Sequence, residues 1–269
     1  MPHSYVTRDE IKTRLNITDN PANATLKLIL EAVAQEIDDW VYRSFQPKTA
    51  TRYYTATKGN FLVVKDLLTV TTLKTDDDGD RTYENTWATT DYDLLPFNAS
   101  ADLDPYTEIV LAPDGTLNFP TGAKGVEIAG SWGYFNDTSS VGTLGAAITT
   151  TTGTSVTMTA GHSVEVLHTL LIGTEQLYVT EVATDTLTVV RGVNGTDAAT
   201  ALDSAAVSAY VYRGSVREAA VIQAARTMRR ADSPFGVVGS TDYGTVVLRA
   251  TLDPDVKTML APLRRIAVA

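Results

Sequence analysis

An alanine-rich segment near the C-terminal end carries its own start and stop signals, and this bracket constrains the fold more than any other stretch. Ser215 and Glu218 stand three apart ahead of Ala219, Ala220, Val221 and Ile222. At that spacing a serine oxygen and a glutamate carboxylate satisfy the free N–H groups of a helix start. Arg230-Ala-Asp-Ser-Pro-Phe-Gly236 closes the segment, because Pro234 and Gly236 disfavour further helix. A helix so delimited needs a partner for its apolar face, and the best one lies far upstream. From Thr25 onward, Leu26, Ile29, Leu30, Val33, Ile37, Trp40 and Val41 recur at the three-and-four spacing of one helix face. Thr7-Arg-Asp-Glu10 repeats the capping pattern and predicts a short helix over 7–16, ended by a loop at Asn20-Pro21. The Trp40 stripe reads as core packing.

After Phe45-Gln-Pro47 the texture changes to threonine, tyrosine and valine punctuated by glycine and aspartate, which favours strands. The predicted strands are Thr51–Thr57, Phe61–Val64, Val70–Thr75, Tyr92–Leu95, Glu108–Leu111 and Gly125–Trp132. Asp76-Asp-Asp-Gly-Asp80 reads as a hairpin turn. Taken as a calcium loop with Gly79 sixth, it would place Lys74 and Asn85 where Asp and a bidentate Glu are required, so that reading fails at both ends. Between Asn136 and Arg213 the chain is rich in Thr, Gly, Ser and Ala and nearly lacks lysine and arginine. Period-two runs at Leu177–Val182 and Thr186–Val190 make this segment an inserted all-β domain, with Arg191-Gly-Val-Asn-Gly-Thr196 as a turn at a strand exit. The expected fold is therefore α+β. Residues 1–135 and 214–269 form a helical core, made of the N-terminal hairpin and the Ala-rich helix, with a β region; 136–213 are the insertion.

Asp253-Pro254-Asp255 sets a cap before a proline, and Val256, Met259, Leu260 and Leu263 follow as a brief apolar face. Residues 238–252 ahead of it are expected to be extended or mobile, so this terminal element suits docking on a neighbour as well as folding back on its own core.

Several chemistries are excluded or unsupported. The chain has no cysteine, hence no disulfide, thiolate nucleophile or zinc–cysteine site. Its histidines, His3, His162 and His168, form no H-E-x-x-H pair, and neither a G-x-S-x-G elbow nor a P-loop is present. No catalytic residue, cofactor or metal ligand is assigned, and the chain is not expected to be an enzyme. No apolar run approaches the about 20 residues that span a bilayer, and Met1-Pro-His-Ser-Tyr5 lacks a secretory pattern. A net charge of −10 argues against general affinity for phosphate backbones.

Three pieces occur in a telling order: the helical hairpin Tyr5–Phe45, the strand end Gly130-Ser-Trp-Gly-Tyr134, and Val216-Arg-Glu-Ala-Ala running to Arg230-Ala-Asp-Ser-Pro-Phe-Gly236. Together they resemble the head-tail connector (adaptor, or head completion) proteins of tailed bacteriophages, with 136–213 as a departure. Glu175–Val182 with Leu187–Thr196 resembles a small β module of phage neck and tail proteins. The resemblance implies a ring, usually of about twelve copies, closed by heterologous contacts. It would sit beneath the portal at the virion neck, assemble in the host cytoplasm, and carry the next neck, stopper or tail protein. DNA would cross its lumen without sequence-specific binding. Ring-interface candidates are Trp132, Tyr134 and Phe235, whose alternative is intrachain core. Portal-docking candidates are Leu252, Pro254, Met259, Leu260, Leu263, Arg264 and Arg265. A tail or baseplate component and a carbohydrate-binding accessory protein are the competing readings.

Overall fold

The computed structural model describes residues 2–18, 23–113, 115–231, 237–240, 244–247 and 251–265. Its helices are α1 (Arg8–Leu15), α2 (Asn23–Val41), α3 (Ala99–Asp102), α4 (Gly214–Ala231) and α5 (Pro254–Leu260). The strands are β1 (Lys48–Tyr54), β2 (Phe61–Thr75), β3 (Asn85–Thr86), β4 (Tyr92–Leu95), β5 (Tyr106–Leu111), β6 (Val126–Trp132), β7 (Asp137–Thr143), β8 (Ser155–Thr157), β9 (Thr169–Ile172), β10 (Glu175–Ala183), β11 (Thr186–Val190), β12 (Ala206–Val211), β13 (Val237–Ser240) and β14 (Gly244–Val247). They form two compact units. One comprises Met1–Arg43, Thr138–Val193 and Asp197–Ala269; the other comprises Ser44–Asp137 and Asn194–Thr196.

The fold overturns the expected helical core. Helix is only about 26% of the chain, and the molecule is mostly β, with two antiparallel sheets of six strands each. Large buried side chains are shared between the two kinds of element: Trp132, Tyr178, Leu62, Leu67 and Leu73 stand on strands, and Ile11, Leu26, Leu30 and Ile37 on α1 and α2. In α4 the buried apolar positions are the small residues Ala219, Ala220 and Ala224 together with Val216.

In the 44–137 unit the sheet order is β1-β6-β2-β5-β4, with β3 paired to β2. β6 alternates buried and half-buried residues along its whole length, the period-two signature of a strand with one face on the core. β2 was expected as two strands. It runs unbroken because irregularities at Val63/Leu67, Leu67/Thr69 and Val70/Thr72 absorb the interruption of its alternation, and Asp66 turns with φ +43. Gly130 is required at the close approach of β6 to β2, where a Cβ would fall 2.1 Å from the Thr69 carbonyl oxygen. Trp87 stacks on Phe119 with ring centroids 4.5 Å apart, and its indole N–H donates to Thr75 Oγ1 at 3.2 Å.

In the other unit the sheet order is β7-β12-β9-β10-β11-β8, over a core that includes Leu170, Leu177, Val179, Leu187 and Val207. Glu175 and Arg191 lock the β10 start to the β11 exit. Arg191 Nε and Nη2 each donate to the carboxylate at 2.6 Å, and the N–H groups of Gly192 and Ala199 donate to it at 3.0 and 2.9 Å. The Arg-Gly-Val-Asn-Gly turn therefore supplies a backbone and side-chain cradle for a buried carboxylate. Helix α2 buries Leu26, Leu30, Val33, Ala34 and Ile37, and its Glu31 receives the Tyr178 hydroxyl of β10 at 3.0 Å. Helix α4 packs on α1, α2 and α5.

The predicted capping box at Thr7 and Glu10 forms in both directions, with Thr7 N–H to Glu10 at 2.8 Å and Glu10 N–H to Thr7 Oγ1 at 3.2 Å. The one predicted at Ser215 is replaced. Helix α4 begins at Gly214, the N–H groups of Val216 and Arg217 bond to the Arg213 carbonyl, and Glu218 reaches Arg14 of α1 at 2.9 Å. A tertiary ion pair has displaced the local cap. The loop at Asn20-Pro21 and the 232–236 stop, Phe235 included, lie outside the described residues. Within 238–252, β13 and β14 pair as an antiparallel hairpin. No helix among the described residues is long and apolar enough to cross a membrane.

Candidate docking surface

The C-terminal element is built from its cap outward. Asp253 accepts the N–H of Asp255 at 2.8 Å and pairs with Arg226 of α4, while Pro254 occupies the first turn, where its missing N–H is harmless. Gln223 of α4 bridges two elements. Its carbonyl oxygen accepts the N–H of Asp253 at 3.1 Å, and its amide donates to Glu36 of α2 at 3.1 Å. Leu252, Val256, Leu260 and Leu263 are buried, and the Arg265 N–H donates to the Val41 carbonyl at 2.9 Å.

This arrangement divides the seven docking candidates. Leu252, Leu260 and Leu263 are 4%, 0% and 8% exposed, so they pack within their own fold and cannot also anchor a partner. Met259 and Arg265 are half-buried, and Pro254 and Arg264 are exposed. Of the ring-interface candidates, Trp132 and Tyr134 are core residues. The Trp132 indole N–H donates to the Ala50 carbonyl at 2.8 Å beneath the Arg52 guanidinium, and the Tyr134 hydroxyl donates to Asp104 at 2.9 Å.

A groove of about 860 Å³ lies where the end of α2 meets residues 257–265. Trp40, Tyr42, Lys257, Pro262, Arg264 and Arg265 are among its lining residues. The Arg264 guanidinium lies 5.1 Å from the Trp40 ring centroid and 5.4 Å from that of Tyr42, within the range of a cation over an aromatic face. Tyr42 follows the last helical residue of α2 with φ +57, a left-handed conformation that bulky side chains rarely adopt, and it is 60% exposed. Trp40, read from sequence as core packing, is half-buried and lines the groove. Sequence reasoning missed Tyr42 and Lys257, because nothing local marks residues that meet only through folding.

The predicted turn after β2 gathers charge. Carboxylates of Asp76, Asp78, Asp80 and Glu84 come within 4.8 Å of one another. Asp76, buried, accepts the N–H groups of Gly79 and Arg81 at 2.7 and 3.0 Å and so fixes the loop, while Asp77, Asp78, Asp80 and Glu84 are exposed.

A cavity of about 400 Å³ lies beside the N-terminal segment, with Ser4, Thr7, His168, Tyr210, Tyr212 and Arg217 in its wall. His168 accepts the Glu165 N–H on Nδ1 at 3.0 Å; burial holds its pKa below the ordinary value, with Glu10 and Asp9 opposing and Arg217 assisting. His162 accepts the Val164 N–H at 3.1 Å and has its other ring nitrogen 3.0 Å from the Thr184 carbonyl. Both rings serve the backbone, and among the described residues neither is hydrogen-bonded to a nucleophilic side chain. Among models of known protein families none matches the chain, and no curated protein matches it either.

Proposed function

We propose that this chain is a structural adaptor of a tailed bacteriophage, forming a ring beneath the portal that joins the DNA-filled capsid to the next neck or tail protein. The observation that carries the reading is the meeting of α1, α2, α4 and α5 in one unit. Two of the three stretches resembling the connector family, the N-terminal hairpin and the Ala-rich helix, are separated by most of the chain, yet their helices α1, α2 and α4 pack directly on one another. The engaged histidines and the absence of cysteine also favour work by docking over catalysis.

With Leu252, Leu260 and Leu263 committed to internal packing and Arg264 and Arg265 lining the groove, portal contact falls to the remaining candidates, the exposed Pro254 and the half-buried Met259. The excess of 32 acidic over 22 basic side chains suits a channel wall that DNA must pass without being held, since each cation–phosphate contact would have to break during passage. Immobilised cognate portal should retain the chain, and Met259→Asp should release it while leaving the circular dichroism spectrum unchanged. Failure of the wild-type chain to bind portal would defeat the reading.

A further inference from the structure

We infer that the groove formed by Trp40, Tyr42, Lys257 and Arg264 receives the acidic 76–84 loop of a second copy of this chain. The groove offers two aromatic faces, Trp40 and Tyr42, and three cations, Lys257, Arg264 and Arg265. Among the described residues neither Lys257 nor Arg264 forms an ion pair, and the Arg264 guanidinium, 5.1 and 5.4 Å from the Trp40 and Tyr42 ring centroids, carries five N–H donors that a partner carboxylate can use. The loop offers the complement. Its carboxylates crowd within 4.8 Å, where like charges repel, and among the described residues none of Asp77, Asp78, Asp80 and Glu84 has a basic partner. The two Asp76 hydrogen bonds hold the loop in shape before any contact, so little order is lost on docking.

The choice of a second copy over another acidic protein rests on charge complementarity present in one sequence. Groove and loop are different patches, so their union is heterologous and propagates head to tail, as a ring requires. The inference deepens the adaptor reading and rests on it for closure into a ring, while the pairwise contact is testable alone.

The test uses the full chain at millimolar concentration, in low salt with EDTA to keep divalent cations off the loop, followed by sedimentation velocity. Wild type should self-associate and dissociate as salt rises. Lys257→Glu with Arg264→Glu, and separately Asp78→Lys with Glu84→Lys, should each weaken association at least about tenfold. An equimolar mixture of the two variants should restore it, because each then meets an opposite charge. A monomeric wild type, variants that associate normally, or folded variants whose mixture stays dissociated would overturn the inference. Portal binding by the groove variant separates the two claims: retained binding with lost self-association supports the contact. Lost binding with intact self-association makes the portal the occupant and overturns the contact, and absence of portal binding by wild type bears only on the adaptor reading.

Discussion

Replacing Glu175 by alanine should open the β10–β11 region more than any other single polar substitution in the 137–211 sheet. The carboxylate is 2% exposed and Arg191 7%, so both charges are out of water. Removal strands two guanidinium donors held at 2.6 Å and the N–H groups of Gly192 and Ala199. Arg191 keeps the carbonyls of Thr150, Gly153 and Ala199, at 3.2, 3.0 and 2.7 Å. Breaking one half of a buried pair costs about 3–5 kcal/mol, and the surviving carbonyls offset the two orphaned N–H groups, giving about 4 kcal/mol. Hydrogen exchange of peptides covering 175–190 reads this opening directly, and the expected acceleration is about a thousandfold. Glu175→Leu with Arg191→Met should recover most of the loss, because no unpaired charge remains. The pair also sets a pH dependence. Burial opposes the charged carboxylate, but Arg191 and the N–H groups of Ala199 and Gly192 outweigh it, holding Glu175 below its ordinary 4.5. Its stabilisation is thus complete above that value and lost as the pH falls toward the depressed native one. Acceleration below about tenfold in Glu175→Ala would refute the reasoning.

Three further outcomes follow from named contacts. Tyr178→Phe removes the hydrogen bond to Glu31 and should weaken protection in α2 peptides by about 1 kcal/mol; unchanged α2 exchange would contradict this. Gly130→Ala drives a Cβ toward the Thr69 carbonyl and should lower the stability of the 44–137 unit by about 1–3 kcal/mol, read from Trp87 and Trp132 fluorescence during urea unfolding. An unmoved midpoint would count against it. Burial pushes Tyr210 up to about 12, so its contribution is full below the ordinary 10.0 and lost as pH rises through the native value. Tyr210→Phe should flatten the alkaline decline in melting temperature, and an identical decline would refute the assignment.

Signals confined to a few neighbouring residues were legible in the sequence. The Thr7–Glu10 box closes within one turn, and the runs at Leu177–Val182 and Thr186–Val190 become adjacent strands because their pairing needs only a short connection. Ser215 and Glu218 carry the same local pattern, but Arg14, remote in sequence, decides where Glu218 goes. The balance of helix and sheet was hidden for a related reason. β7, Asp-Thr-Ser-Ser-Val-Gly-Thr, buries only Val141, so it shows little alternation, and β2 conceals its continuity behind bulges. The groove was illegible because Trp40 and Arg264 meet only after α5 folds back, whereas Leu260 and Leu263 looked available until that same packing buried them.

Electron microscopy of the chain mixed with its cognate portal tests the central claim most directly. The adaptor account predicts an added ring coaxial with the portal, with the C-terminal element on the side facing it. Portal particles that remain bare at saturating chain concentration would contradict the account.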